Sequence, residues 1–428
     1  MSLNASLQRD TYKLVEKLIS GSFPDEHSLL KSLVSDIVNQ EHFAIKGGRI
    51  WEFNSERSSY KLVFQHGLLN KIPDDYEVLV SDQLVLSELN KKKTVLSDET
   101  DILLQELGIK LYSVTGVGEI FNMKPGRYYK YIMGFNAPEI PDYFFEFLNI
   151  ISSVTTMTLR NLKASKESEK FRREMNNASE IQRNLLPDHH LRFHDYDIFG
   201  VCLPDSEVGG DYFDYIKRED AEEDSIGIVI SDAASKGLPA AIQALFVSGA
   251  IRMGLSYANR IADIFSKMNT LIFDTFLYER FVTLFYCELA LSQNRVAFYV
   301  NAGHCAPIHY RPNKDKISLL LPTGGLLGLM RKQKFGLENV RIHSGDVIVL
   351  YTDGITEAMN KHNEVYGEER LIEMVKKHHL LESKDIAYAI LEEVQKFTAE
   401  SRYGDDRTIV VIKRDPKPAT PKIIQELP

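Results

Sequence analysis

Apolar residues first fall into a helical rhythm at Leu30, Leu33, Val34, Ile37 and Val38, in steps of three and four. Strand-like runs follow at residues 49–53, 60–65 and 128–135, so residues 1–142 read as a mixed α/β module. The texture then changes. Between residues 143 and 186 there is neither proline nor glycine, and Phe144, Leu148, Ile151, Thr155, Thr158 and Leu162 keep a three/four spacing. After the charged run 163–170, Phe171, Met175, Ala178 and Leu185 resume it, with Gln182 in the seam, and Pro187 closes the segment. The pattern predicts one long, coiled-coil-like linker helix over 143–187, roughly 65 Å at about 1.5 Å per residue. Two helices joined by a polar turn are the alternative. A helix that long needs a partner, either a second copy of itself or the surface of a domain.

From 188 to 414, strand-like runs at 226–230, 281–289 and 347–351 alternate with helical patterns at 238–253 and 384–398. Residues 415–428 hold four prolines and read as a tail.

The chain of 428 residues is long enough for two or three domains. A net charge of −9 makes general nucleic-acid binding an unfavoured function. Three scattered cysteines, Cys202, Cys287 and Cys305, give neither a disulfide framework nor zinc-ligand spacing. The N-terminus lacks the charged stub and apolar core of a secretory signal. The best apolar run, around 144–159, is interrupted by Glu146 and Asn149, so no membrane span is expected. The expected compartment is the reducing cytoplasm.

Acidic residues then change the picture. Asp211 follows Gly209-Gly210, Asp232 ends the apolar run at 226–230, and Asp353 follows the run at 347–351 and precedes Gly354. Asp405 and Asp406 come after Gly404 and before the strand-like stretch 408–412. Each one alone reads as a turn or cap residue. Carboxylates gathered at strand ends would repel one another unless a divalent cation sits among them. Oxygen donors without clustered His or Cys favour Mg²⁺ or Mn²⁺ over zinc.

Their order and flanks resemble the metal-dependent protein phosphatases of the protein phosphatase 2C superfamily. The nearest branch is the bacterial one that contains the sporulation phosphatase and the sigma-B regulator phosphatases. The resemblance spans about 176–414 and rests on Ser179-Glu-Ile-Gln-Arg-Asn-Leu-Leu-Pro187, Glu207-Val-Gly-Gly-Asp-Tyr-Phe-Asp214, Ser231-Asp-Ala-Ala-Ser-Lys-Gly237, Asn301-Ala-Gly-His304, Thr323-Gly-Gly-Leu-Leu-Gly328, Tyr351-Thr-Asp-Gly-Ile-Thr-Glu-Ala358, Tyr366-Gly367 and Asp405-Asp-Arg-Thr-Ile-Val-Val411. It implies an αββα sandwich holding two Mn²⁺ or Mg²⁺ ions. Asp232 would bridge them. Asp211 and the carbonyl of Ala233 would hold one, and Asp353 and Asp405 the other. Asp406 would position a metal-bound water or cap the turn. The implied reaction is attack by a metal-activated hydroxide on phosphoserine or phosphothreonine, and the implied substrate a phosphorylated anti-sigma-factor antagonist.

Ser235 stands where the branch commonly has glycine, so a left-handed turn there would carry strain. Ala234 stands where eukaryotic relatives have a possible acid, which leaves the general acid unassigned. His304 reads better as a loop-ordering residue than as a catalyst. An aspartate-nucleophile phosphatase is excluded, because Tyr351 occupies the position two before Asp353 where that class needs a second Asp. The non-enzymatic rival is a phosphatase-shaped scaffold that binds a partner-switching protein. The first 142 residues resemble a GAF sensory domain in element order. They contain no cysteine, which excludes covalent bilin attachment, and they name no ligand. A PAS-like module or a ligand-free dimerisation module are the alternatives there. The whole reads as sensor, dimerising helix and phosphatase.

Overall fold

The computed structural model describes residues 2–68, 71–82, 88–89, 91–97, 112–123, 126–137, 141–217, 224–257, 260–276, 281–290, 296–399 and 404–415. Of the tail, Asp415 alone lies within them. The chain divides into two compact units, Met1–Phe171 and Arg172–Pro428.

The N-terminal unit is built on an antiparallel sheet of β1 (Gly47–Asn54), β2 (Ser59–Gly67), β3 (Glu77–Leu79), β4 (Thr94–Ser97), β5 (Tyr112–Met123) and β6 (Gly126–Asn136), in the order β3-β2-β1-β6-β5-β4. Alternate side chains point to opposite faces. Ile50, Met133 and Phe135 pack under α1 (Ser2–Ser20) and α2 (Glu26–Val38), while Trp51, Phe53, Tyr60 and Ile132 form a second cluster. Asp25 caps α2 by accepting from the Ser28 N–H.

The predicted linker is a single helix of 42 residues, α3 (Asp142–Arg183), but its first half is no linker. Phe144, Phe147, Leu148, Ile151 and Leu159 are buried in the N-terminal core, and the division between the units falls inside the helix, after Phe171. One three/four pattern serves a core helix and a free-standing one alike, so the periodicity could not mark where the packing ends.

The C-terminal unit has four layers. One sheet pairs β9 (Tyr212–Lys217), β10 (Ser225–Ala233), β11 (Val282–Ala290), β12 (Val296–Ala302) and β15 (Glu338–Arg341), in the order β15-β12-β11-β10-β9. The other pairs β7 (His190–Phe193), β8 (Tyr196–Leu203), β13 (Ile308–Arg311), β14 (Lys316–Leu319), β16 (Val347–Tyr351) and β17 (Arg407–Arg414), in the order β14-β13-β16-β17-β8-β7. Ile228 and Ile230 of the first sheet meet Ile348, Leu350, Val410 and Ile412 of the second in the central core. Their neighbours on the same strands face outward. Val229 lies under α4 (Leu238–Tyr257) and α5 (Ile261–Thr275). Val349 and Val411 lie under α7 (Gly367–His378) and α8 (Ser383–Phe397); the short α6 (Asp353–Thr356) precedes them. Strands buried on both faces explain the continuous apolar runs. This is the αββα sandwich that the resemblance implied.

Among the described residues one helix, Leu238–Ser256, is long and apolar enough to cross a membrane by length and composition, which the sequence reading overlooked in favour of 144–159. Here it is a core helix, with Ala240, Ala244, Val247, Ile251 and Leu255 buried against the sheet.

Candidate active site

The acidic residues meet where the two sheets end side by side. Asp232 is the penultimate residue of β10, and the pairing of Ser231 with Tyr212 brings Asp211, the residue just before β9, alongside it. In the other sheet Tyr351 pairs with Ile409, so Asp353 leaves β16 beside the loop that delivers Asp405 and Asp406 to β17. Gly354 is required there, because a Cβ at that position would run into the main-chain oxygen of Asp406. Gly210 sits against Ala233, whose carbonyl oxygen lies 3.2 Å from where a Gly210 Cβ would be.

Asp211 ties the two sheets together. Its Oδ2 accepts at 2.8 Å from Thr352 Oγ1, just past the end of β16, and at 2.6 Å from Thr408 Oγ1 in β17. The Thr408 N–H in turn donates to Thr352 Oγ1 at 3.0 Å. Burial raises the Asp211 pKa well above the carboxylate range, and the charge of Asp232 adds to this. Asp232 is pushed up to about 8, first by burial and then by Asp353, Asp405, Asp406 and Glu357. Asp353 is raised by burial, Glu357 and Asp405. Asp405 pairs with Lys236 at 3.0 Å.

Asp406 is used differently from the others. Its Oδ2 accepts from the N–H groups of Gly210 and Asp211, at 2.5 and 3.4 Å, and its Oδ1 from Asp205 N–H at 2.9 Å. A carboxylate committed to the main chain in this way fits the loop-capping reading better than a ligand's role. Ser235 is absent from the residues with positive φ. Gly237 takes that conformation at +67°, so the strain anticipated at Ser235 does not arise. His304 is buried, with Nδ1 2.8 Å from Thr283 Oγ1 and its N–H donating to Asn301 Oδ1 at 2.8 Å, as befits a residue that orders a loop.

Among the described residues no three His, Cys, Asp or Glu side chains converge tightly enough to enclose an ion as they stand. The carboxylates are electrostatic neighbours, and Asp211, Asp405 and Asp406 each accept from donors of their own. Their chemistry nevertheless suits a hard divalent cation. The donors are all oxygen, Asp211 is buried, and Asp232 is crowded by the like charges named above.

The sequence reading missed Thr352 and Thr408, which hold Asp211, and Lys236, which faces Asp405. Thr352 precedes Asp353 directly and Lys236 stands inside the Asp232 motif, but neither spacing reveals a partner in a distant strand or loop.

Residues 222–415 match the family model described as Stage II sporulation protein E (SpoIIE). The chain is 24% identical over 287 residues to "Phosphoserine phosphatase RsbU" of Bacillus subtilis, covering 65% of this chain and 82% of that protein. It is 27% identical over 271 residues to "Protein IcfG" of Synechocystis sp., covering 57% of this chain and 42% of that protein. In structure it is similar to the SiaA-PP2C domain of Pseudomonas aeruginosa, with a TM-score of 0.50 and 21% identity, covering 58% of this chain and 99% of that one. The matched residues lie in the C-terminal unit, whose fold is that of PP2C domains. Within this fold, the Asp211–Thr352–Thr408 contact is what fixes one sheet's acidic edge to the other's.

Proposed function

We propose that the chain is a metal-dependent protein serine/threonine phosphatase acting on a phosphorylated partner-switching protein of the anti-sigma-factor-antagonist type. The observation that carries this is the gathering of Asp211, Asp232, Asp353 and Asp405 at one end of the sandwich, with Asp211 buried and the pKa values of Asp211, Asp232 and Asp353 raised. Asp211, Asp232 and the Ala233 carbonyl would hold one Mn²⁺ or Mg²⁺ ion, and Asp232, Asp353 and Asp405 a second. Bound there, the ions supply positive charge and a water acidified toward neutral pH. The chain's own residues then have distinct tasks. Thr352 and Thr408 orient Asp211, Asp406 fixes the loop carrying Gly209 and Gly210, and Lys236 offers a cation beside Asp405. The name of the Bacillus relative, a phosphoserine phosphatase, supports the substrate class.

The N-terminal unit reads as a GAF-like sensor, and α3 as the element through which a homodimer forms. Phe171, 61% exposed, begins the stripe that runs on through half-buried Met175, Ala178 and Leu185, an apolar face suited to a second copy of itself. The cytoplasm is the compartment this activity calls for. The test is to add the chain and Mn²⁺ to a lysate and identify which phosphoprotein loses its phosphate. Loss from an antagonist-type protein supports the reading, and no loss from any phosphoprotein contradicts it.

A further inference from the structure

One cleft in the N-terminal unit belongs to none of the features above. Its volume is about 450 Å³, within the roughly 300–1,000 Å³ typical of small-ligand pockets. One wall is a face of α3 bearing Ser153, Thr156 and Arg160; Gly118 of β5, Tyr129 of β6 and Lys93 complete it.

The strand is irregular at this point. β5 breaks register with β6 between Val117 and Ile120, and Gly118 adopts φ +87°. Instead of joining the ladder, the Gly118 N–H donates to Thr156 Oγ1 at 3.1 Å. Bulges of this kind recur where a sheet is reshaped for a site.

The charge is one-sided. Lys93 is half-buried, and its Nζ donates to Ser153 Oγ at 2.9 Å. Burial and then the like charge of Arg160 hold its pKa below the ordinary lysine range. Arg160 makes no ion pair and no hydrogen bond among the described residues. Glu119, the carboxylate beside Gly118 in the chain, is already taken by Lys163 at 2.6 Å. The fold therefore keeps two cations in electrostatic contact, one of them partly desolvated, and among the described residues lining the cleft there is no carboxylate. An oxyanion would relieve that repulsion and accept from both groups through charge-assisted hydrogen bonds.

We propose that this cleft binds a small polyanionic metabolite, a carboxylate or a phosphate, through Lys93 and Arg160, with the Ser153 hydroxyl as a further contact. The geometry asks for oxygens that can meet an ammonium and a guanidinium together. It does not choose between carboxylate and phosphate, so the test carries both. Calorimetric titration of metal-stripped, chelator-free full-length protein with citrate and with pyrophosphate, at constant ionic strength, reads binding without involving catalysis. At least one probe should bind with Kd below about 1 mM. Arg160→Gln and Lys93→Gln should each weaken that binding by about tenfold or more. Arg57→Gln, a cation paired with Glu77 elsewhere in the same unit, should leave it unchanged, and so should Asp232→Asn. Arg160 is exposed, so its variant keeps the test decisive even if Lys93→Gln fails to fold. Failure of both probes to bind up to roughly 10 mM, or binding that Arg160→Gln does not weaken, overturns the proposal. Either result leaves the phosphatase reading where it stands.

Discussion

The side-chain amide of Gln182 pairs with the main chain of Gly209 in both directions. Nε2 donates to the Gly209 carbonyl at 2.7 Å, and the Gly209 N–H donates to Oε1 at 3.1 Å. Gly209 stands two residues before Asp211, and a Cβ there would collide with the Asp406 carboxylate. The last turn of α3 and Asp406 thus grip the same loop. Gln182→Ala should leave the fold intact and raise the Mn²⁺ concentration for half-maximal phosphatase activity. Two hydrogen bonds of about 1 kcal/mol each set the scale at roughly five- to thirty-fold. A metal titration of activity checks this; an unchanged midpoint would show that the clamp does not bear on the metal site.

Asp405 and Lys236 form the site's exposed ion pair. Adding Mn²⁺ should raise the thermal midpoint in a concentration-dependent way, since the ion binds the folded carboxylates and not the unfolded chain. Lys236→Met should lower the metal-free midpoint and enlarge the Mn²⁺-induced rise, because it removes the cation that faces Asp405. Superimposable melts with and without millimolar metal would contradict the carboxylate assignment.

His304 gives the fold an acid-sensitive point. Burial holds its pKa down to about 4. In the unfolded chain it would titrate near 6.5, so the unfolded state binds more protons between those two values. Stability should therefore fall as pH drops from about 6.5 towards 4, by up to about 3 kcal/mol from this residue. His304→Gln should flatten that part of the curve in urea melts taken at a series of pH values. An identical pH dependence in the variant would mean that the imidazole is protonated in the folded protein.

The α3 stripe should hold two chains together. Phe171→Glu places a charge on its most exposed aromatic and should convert a dimer into a monomer in sedimentation velocity at micromolar protein, with helix content unchanged. A wild-type chain that already sediments as a monomer would refute the dimer.

Much of this architecture was legible from local pattern. The runs ending at Asp232 and Asp353 read as strands because β10 and β16 are buried on both faces, and a sequence shows that as unbroken apolar character. The carboxylates stood out because aspartate at the end of such a run is locally awkward. What stayed hidden was which distant groups each one meets. Thr408 reaches Asp211 across 197 residues, and Asp406 reaches Gly210 across 196. Periodicity reports which way a side chain faces, not which strand arrives opposite it. For the same reason the stripe through Phe144 and Leu148 could not be told from the stripe through Phe171 and Met175. The first is core and the second is not, although their spacing is the same.

Removing one charge at Asp232 tests the central claim most directly. Asp232 is surrounded by Asp353, Asp405, Asp406 and Glu357, so Asp232→Asn relieves repulsion and should not unfold the domain. The measurement is phosphate release from a serine-phosphorylated antagonist protein at saturating Mn²⁺, wild type against Asp232→Asn, with circular dichroism confirming the fold. A loss of at least about a thousandfold, roughly 4 kcal/mol in barrier, is the result this account predicts. A folded Asp232→Asn protein that releases phosphate at the wild-type rate would contradict it.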